Sequence, residues 1–444
     1  MLPCIALAFA LAAGPASQAR SPRVEALVAA VDPARLQATV ARLVSFGTRH
    51  TLSDAASETR GIGAARRWLA AELAALARAP GSRLQLFEDR FVQEPGPRLP
   101  RAVEIVNVGA VVPGVDAARA REAIVVTGHY DSRASDPLDA ASDAPGAVDD
   151  GSGTAMVLEL ARVLAKERPA VAVYLVAVAG EEQGRFGSTH LAKRLKAEGV
   201  EVLAMTSVDI AGNSEGQDGV RDDTAARLFS EGVPAVESDG QRRLREALGA
   251  ENDGPARQWA RYVKREAERH VEHLEMQVML RRDRIARGSD HMPFAAAGFP
   301  AIRLSEAHEN YDRQHQDVRV VDGRRYGDTL DFFDARYAAR MARGLLAAVA
   351  SLAAAPAPPR EVALGGAVSP ETRLRLVLPP DPRIAGLVLY RRRADGVAWQ
   401  RAERFGRTEH LVLPGVVPDS HVFAVATVDA EGNESLPTAP TRLE

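Results

Sequence analysis

Seven acidic or imidazole side chains stand where apolar runs of the chain end. They are His129 and Asp131 in IVVTGHYDS, Asp149 and Asp150 ahead of GSGTAMVLEL, Glu181 and Glu182 after VAVYLVAVAG, and Asp209 in TSVDIAG. Singly, each has a structural explanation: an aspartate before a helix is a common N-cap, and adjacent glutamates suit a solvated loop. Gathered in one crevice they would repel one another and raise each other's pKa, and a divalent cation removes that conflict. Imidazole with several carboxylates is a zinc donor set, and without cysteine it fits a catalytic rather than a structural site. The His-x-Asp spacing suits it further, because a ligating histidine usually gives its second ring N–H to a carboxylate that fixes its tautomer and orientation. Asp131 is placed for that task. On an extended loop neighbouring side chains diverge, so of Glu181 and Glu182 one can bind metal while the other takes a proton from an activated water.

The elements that must carry these residues alternate. Residues 24 to 80 show helical periodicity, VEIVNVGAVVPG and EAIVVTGHYDS read as strands, GSGTAMVLELARVLAKE as a helix, and VAVYLVAVAG as a buried strand. STHLAKRLKAE is the next helix and EVLAMTSVDIAG the next strand. This alternation predicts an α/β fold with a mostly parallel twisted sheet flanked by helices, and in such sheets ligands bind at the carboxyl ends of the strands. From 213 to about 287 the pattern changes to polar turns and a long charged helix, PARQWARYVKREAERHVEHLEMQVMLRRD, expected as a helical insertion near the mouth of the site. FPAIRLSEA resumes the sheet and DARYAARMARGLLAAVASLAA closes the domain, which spans 20–354. APAPP at 355–359 is a linker. Residues 360–444 carry short alternating stretches with turn residues about every ten positions, the rhythm of a small β-sandwich.

The length of 444 residues calls for two or three domains, and 46% hydrophobic residues mark a globular chain. With 56 basic and 59 acidic side chains the net charge is -3, which argues against a nucleic-acid partner. An apolar run from Ile5 to Ala13, followed by small residues, reads as a secretory signal over 1–19, cleaved after Ala19, and predicts a periplasmic or secreted protein. Cys4, the one cysteine, lies inside it, so the mature chain would rely on packing or bound metal rather than disulfides. No later segment reaches about 18 apolar residues, so no membrane span is expected.

Over roughly residues 100 to 350, GHYDS, GAVDDGSGTA, AGEEQGRFGS, TSVDIAG and GSDHMPFAAAGFPAIRLSE stand in one ordered set. In order and spacing the chain resembles the secreted di-zinc aminopeptidases, the aminopeptidase Y-like metallopeptidases related to glutamate carboxypeptidase and glutaminyl cyclase. The resemblance implies a zinc exopeptidase-like fold, two zinc ions, and hydrolysis of the N-terminal bond of peptides with a free amino end. It implies that His129 and Asp209 sit on different zincs and that Asp149 bridges both. Glu182 would be a ligand, Glu181 the general base and acid, and Asp131 the support of His129. Relatives close the set with a histidine shortly after the final strand. Here, in EAHENYDRQHQD, Asp312 stands where the simplest alignment wants it. His315 is the expected ligand, because the strand end at Ser305 leaves room for a loop to return it; His308 and Asp312 are the alternatives. His291, in SDHMPF, is expected to orient substrate or polarise its carbonyl, or else to be a helix-start histidine held by its neighbours. His270 and His273 are expected to be solvated on the charged helix.

The closing VFAVATVDAEGNES resembles the last strands of a fibronectin type III domain, a module expected to contact a polymer or protein surface. Three rival activities fit parts of the pattern. A glutaminyl cyclase shares the ligand motifs, but the tryptophans that line its pocket have no counterpart beside Glu182 or His315. A carboxypeptidase would need basic residues to grip a terminal carboxylate, which arginines between 242 and 287 could supply. A non-catalytic binding protein would have no need of the Glu181 and Glu182 pair.

Overall fold

The computed structural model describes residues 20–444, and the expected signal segment lies outside them. The chain forms two units, one of residues 22–237 with 254–353, the other of 238–253 with 354–444.

The larger unit begins with helices α1 (Pro22–Ala29), α2 (Pro33–Val44) and α3 (Gly61–Arg78), then strands β1 (Gln85–Gln93), β2 (Val103–Val112) and β3 (Glu122–His129). Helix α4 (Gly151–Leu164), strand β4 (Ala172–Val178), the single turn α5 (Glu181–Gly184), helix α6 (Phe186–Ala197) and strand β5 (Glu201–Val208) follow. After β6 (Ala225–Ser230) comes α7 (Asp239–Leu248), which belongs to the smaller unit; then α8 (Pro255–His270), β7 (Glu275–Met279), α9 (His291–Ala296) and β8 (Ala301–Glu306). A hairpin of β9 (Arg319–Val321) and β10 (Arg324–Tyr326) precedes the closing helix α10 (Ala335–Ala354).

Eight strands form one mixed sheet in the order β1-β2-β4-β3-β5-β8-β6-β7. Its centre, β4-β3-β5-β8, is parallel, and both edges bring in antiparallel pairs. The sequence pattern anticipated the parallel centre. It missed β1, and it missed β6 and β7, which lie inside the segment expected to be a helical insertion. The charged helix stops at His270 rather than running on to Asp283, because residues 275 to 279 pair with β6.

Successive residues of β3 are buried on both faces, as a central parallel strand requires. On one face Val125 packs with Val176, Met205, Leu191 of α6 and Phe294 of α9. On the other, α4 presses so close that a Cβ on Gly128 would lie 2.4 Å from the backbone of Gly153. A Cβ on Gly153 would in turn meet the carbonyl of Val208 at 2.3 Å. These two glycines let the start of α4 sit directly on the ends of β3 and β5, where His129 and Asp209 emerge.

The smaller unit has a four-stranded sheet and a three-stranded sheet. Its strands are β11 (Glu361–Gly365), β12 (Glu371–Val377), β13 (Gly386–Arg393), β14 (Arg401–Gly406), β15 (His410–Pro414), β16 (His421–Val428) and β17 (Arg442–Leu443). Val362, Leu374 and Leu376 from one sheet and Leu387, Leu389 and Phe423 from the other share a core. Residues 238–253 join this unit, and Asp253 forms a buried ion pair with Arg392.

Candidate metal centre

The carboxyl ends of β3, β4 and β5 and the start of α4 deliver their polar residues to one rim. Asp150 is the N-cap of α4, accepting the N–H of Gly153 at 2.8 Å, and its second oxygen accepts the N–H of His129 at 2.9 Å. That leaves Asp149, joined to Asp150 by a cis peptide, facing the crevice. Its backbone is fixed from behind by Asp328, whose carboxylate accepts the N–H groups of Val148 at 2.8 Å and Asp149 at 2.6 Å.

Two groups of ligating atoms share Asp149: His129 with Asp149 and Asp209, and Asp149 with Glu182 and His315. His129 Nε2 is 3.3 Å from Asp149 Oδ1 and 3.8 Å from Asp209 Oδ1. His315 Nε2 is 3.1 Å from Asp149 Oδ2 and 3.3 Å from Glu182 Oε2. The resemblance implied separate ions for His129 and Asp209, and the geometry corrects this: Asp209 follows β5, the neighbour of β3, so both side chains come down on the same side of Asp149.

Of the three candidates for the last position, His315 alone reaches the rim. His308 is tied to Asp218 at 3.0 Å, and Asp312 pairs with Arg324. His315 takes a left-handed backbone conformation, φ 54°, and so does Ile210, φ 62°, directly after Asp209. For a β-branched residue that conformation costs on the order of 1–3 kcal/mol and persists only where the surroundings over-determine it.

Asp131 is buried behind His129, but its carboxylate does something other than expected. The His129 ring Nδ1 meets the main-chain carbonyl of Asp131 at 3.1 Å, against 3.7 Å to the carboxylate, a partner that fixes the ring's orientation and leaves Nε2 as the nitrogen facing Asp149. The Asp131 carboxylate instead accepts the N–H groups of Glu181 at 3.2 Å and Glu182 at 3.1 Å. These two glutamates therefore form the first turn of α5 rather than an extended loop, entered through Gly180 at φ 74°. Thr51 also donates to Asp131, at 3.3 Å.

His291 opens α9, fully buried, with Nε2 2.9 Å from the carbonyl of Arg282 and 3.5 Å from Asp283. This is the helix-start alternative, and the residue is not among those lining the central cavity. His273 is exposed, whereas His270 is buried against the carbonyl of Glu266 at 3.0 Å, contrary to expectation.

The electrostatics bear on whether a cation fits. Burial raises Glu181 well above the usual carboxylate range, and Asp290, Asp209 and Asp131 add to the effect. Glu182 is raised in the same way by burial, then by Asp149 and Glu181. Burial would raise Asp149 too, but the imidazoles of His129 and His315 hold it well below its ordinary value. Glu182 Oε1 is buried without a hydrogen-bond donor, and Asp149 Oδ2 has only the His315 ring nitrogen at 3.1 Å. A crowded set of buried carboxylates, one oxygen of them orphaned, with two imidazole nitrogens is the donor chemistry that a borderline divalent ion satisfies, so the residues fit a metal.

Three buried residues of this centre went unnoticed in the sequence. Arg49 donates to the carbonyls of Tyr130 at 2.6 Å and Gly146 at 2.9 Å, clamping the loop that carries Asp149. Asp328 holds the backbone N–H groups of Val148 and Asp149. Arg303, in the middle of β8, places Nη2 3.1 Å from Asp209 Oδ1 and Nη1 3.4 Å from Asp283. A single arginine between Ile302 and Leu304 in a buried strand is itself a signal, since a charge there requires a partner.

A profile of Peptidase family M28 matches residues 107–335. A chain of Leptosphaeria maculans named a probable zinc metalloprotease is 41% identical over 413 residues, 93% of this chain and 95% of its own length. One of Pyrenophora teres f. teres with the same name is 39% identical over 93% of this chain and 86% of its own. The protein belongs to peptidase family M28. Its fold is that of the LapA aminopeptidase of Legionella pneumophila, at TM-score 0.51 and 18% identity over 75% of each chain. An aminopeptidase from Aneurinibacillus sp. strain AM-1 matches at TM-score 0.51 and 14% identity, over 75% of this chain and 97% of its own.

Proposed function

We propose that the chain is a zinc-dependent aminopeptidase, exported to the periplasm or beyond, that removes the N-terminal residue of peptides using two zinc ions. The observation that carries this reading is the sharing of Asp149 between two ligand groups, with Glu181 beside them and engaged with neither. The names of the fungal relatives and the aminopeptidases among the fold neighbours support the zinc and the substrate class, and the apolar run near the N-terminus supports export.

His129, Asp149 and Asp209 would hold one ion, and Asp149, Glu182 and His315 the other. Bound there, zinc supplies Lewis acidity toward the scissile carbonyl and lowers the pKa of a water at the centre. Glu181 takes the proton from the attacking water and delivers it to the nitrogen of the breaking C–N bond, so that the amine leaves neutral. The depth of the crevice raises the basicity of Glu181 for the first step.

The test is release of free amino acid from a panel of aminoacyl anilides and free-amine peptides, with and without chelator, alongside N-acetylated versions of the same peptides. Cleavage of the free-amine forms only, abolished by chelator and restored by zinc, is expected. Cleavage of the acetylated forms would overturn the reading in favour of a carboxypeptidase.

A further inference from the structure

A cavity of about 1020 Å³ opens over the centre, with Asp149, Glu181, Glu182, Asp209 and His315 on its floor. Its walls are rich in arginine. Arg98 comes from the loop between β1 and β2, Arg133 follows β3 and Arg185 follows α5, and a second group, Arg281, Arg282, Arg284 and Arg287, lies between β7 and α9.

Arg284 and Arg287 both pair with Glu309, at 2.8 and 3.2 Å, and Arg284 also with Asp283 at 3.2 Å. The others are not matched in this way. Arg98 donates to the main-chain carbonyl of Glu182 at 3.0 Å, and Arg185 Nη1 meets Met292 Sδ at 3.3 Å. Arg133 donates to the carbonyls of Ala134 and Ser135 and stands 3.9 Å from Glu182; Arg282 is 4.0 Å from Glu231. Arg281 is exposed and forms no ion pair among the described residues. Once the floor carboxylates are committed to metal, the walls hold surplus positive charge that focuses on the cavity. This surplus repels a peptide's ammonium group, so it serves another part of the substrate. The forked, planar guanidinium matches a carboxylate in particular.

Resting on the aminopeptidase reading, we propose that the cavity selects peptides carrying a carboxylate close to the scissile bond, gripped by Arg185 and Arg281 with Arg98 and Arg133 beside them. Three sources share this chemistry: an acidic side chain on the N-terminal residue, one on the second residue, or the free carboxyl end of a very short peptide.

Isosteric pairs separate them on the zinc-loaded full chain: Glu-Ala-Ala amide against Gln-Ala-Ala amide, Ala-Glu-Ala amide against Ala-Gln-Ala amide, and Ala-Ala against its amide. In at least one pair the charged member is expected to have kcat/KM about tenfold higher, mainly through KM, and the winning pair names the source. Arg185→Ala combined with Arg281→Ala collapses that ratio toward one, Arg281→Lys keeps part of it, and added salt lowers it. Arg78→Ala, at the exposed end of α3, leaves the ratio as it is. No charged preference in any pair, or a ratio that survives the double variant, overturns the proposal. Should none of the peptides be cleaved, the aminopeptidase reading falls. Titration calorimetry of the same pairs then decides the carboxylate preference alone, with equal affinities refuting it and roughly tenfold tighter charged members upholding it.

Discussion

Asp131 accepts the backbone N–H of Glu182 at 3.1 Å, and through its other oxygen that of Glu181 at 3.2 Å. A residue two positions beyond His129 thus serves the centre twice, by its carbonyl toward that ring and by its carboxylate toward the glutamate turn. Asp131→Asn keeps the carbonyl but turns an N–H donor toward one of those amides. The expected result is a kcat about ten- to a hundredfold lower, with His129 still able to bind metal. Steady-state kinetics beside zinc counted by mass spectrometry checks it; an unchanged kcat would refute the role given to the carboxylate.

Glu181 is engaged with neither ligand group, and this sets it apart from Glu182, whose Oε2 lies 3.3 Å from His315. Glu181→Gln is expected to keep its zinc and lose on the order of a hundredfold or more in kcat. Turnover near the wild-type level would remove Glu181 from the mechanism.

The sequence made most of this rim legible, because His129, Glu182 and Asp209 each close or follow an apolar strand whose length and content announce it, and Asp149 stands just ahead of an apolar helix. The second-layer residues were harder to read. Asp328 sits in a loop, 179 residues beyond the amide it fixes, and no local pattern links the two. The strands β6 and β7 are six and five residues long and interrupt a segment of high charge, so helical periodicity prevailed over them. Asp131 was correctly drawn to His129 by its spacing, but the spacing could not distinguish its carbonyl from its carboxylate.

His315 reaches Asp149 and Glu182 from a loop, whereas His308 and Asp312 are engaged by Asp218 and Arg324. His315→Ala is expected to lose one zinc per chain and nearly all activity, and His308→Ala and Asp312→Ala to keep full metal content. Full zinc retention in His315→Ala would contradict the assignment.

The pH dependence of stability follows from buried acids that the protein keeps protonated when metal is stripped. Burial raises Asp328 to about 7, with Asp149 nearby adding to it, and burial likewise raises Asp290 to about 7. In the unfolded chain both fall near 4. A carboxyl raised on folding contributes stability that is full below its unfolded pKa and is lost as pH rises through its folded pKa, so the metal-free protein is more stable at pH 5 than at pH 8. Zinc acts in the opposite sense, since its ligands must be ionised to bind it and its grip tightens as protons leave. Thermal unfolding in chelator should therefore give a Tm lower at pH 8 than at pH 5 by roughly 5 °C, and the rise in Tm on adding zinc should grow over the same interval. A chelated protein whose Tm climbs from pH 5 to pH 8 would show that these acids are ionised in the fold, and that Arg49 rather than a proton balances Asp328.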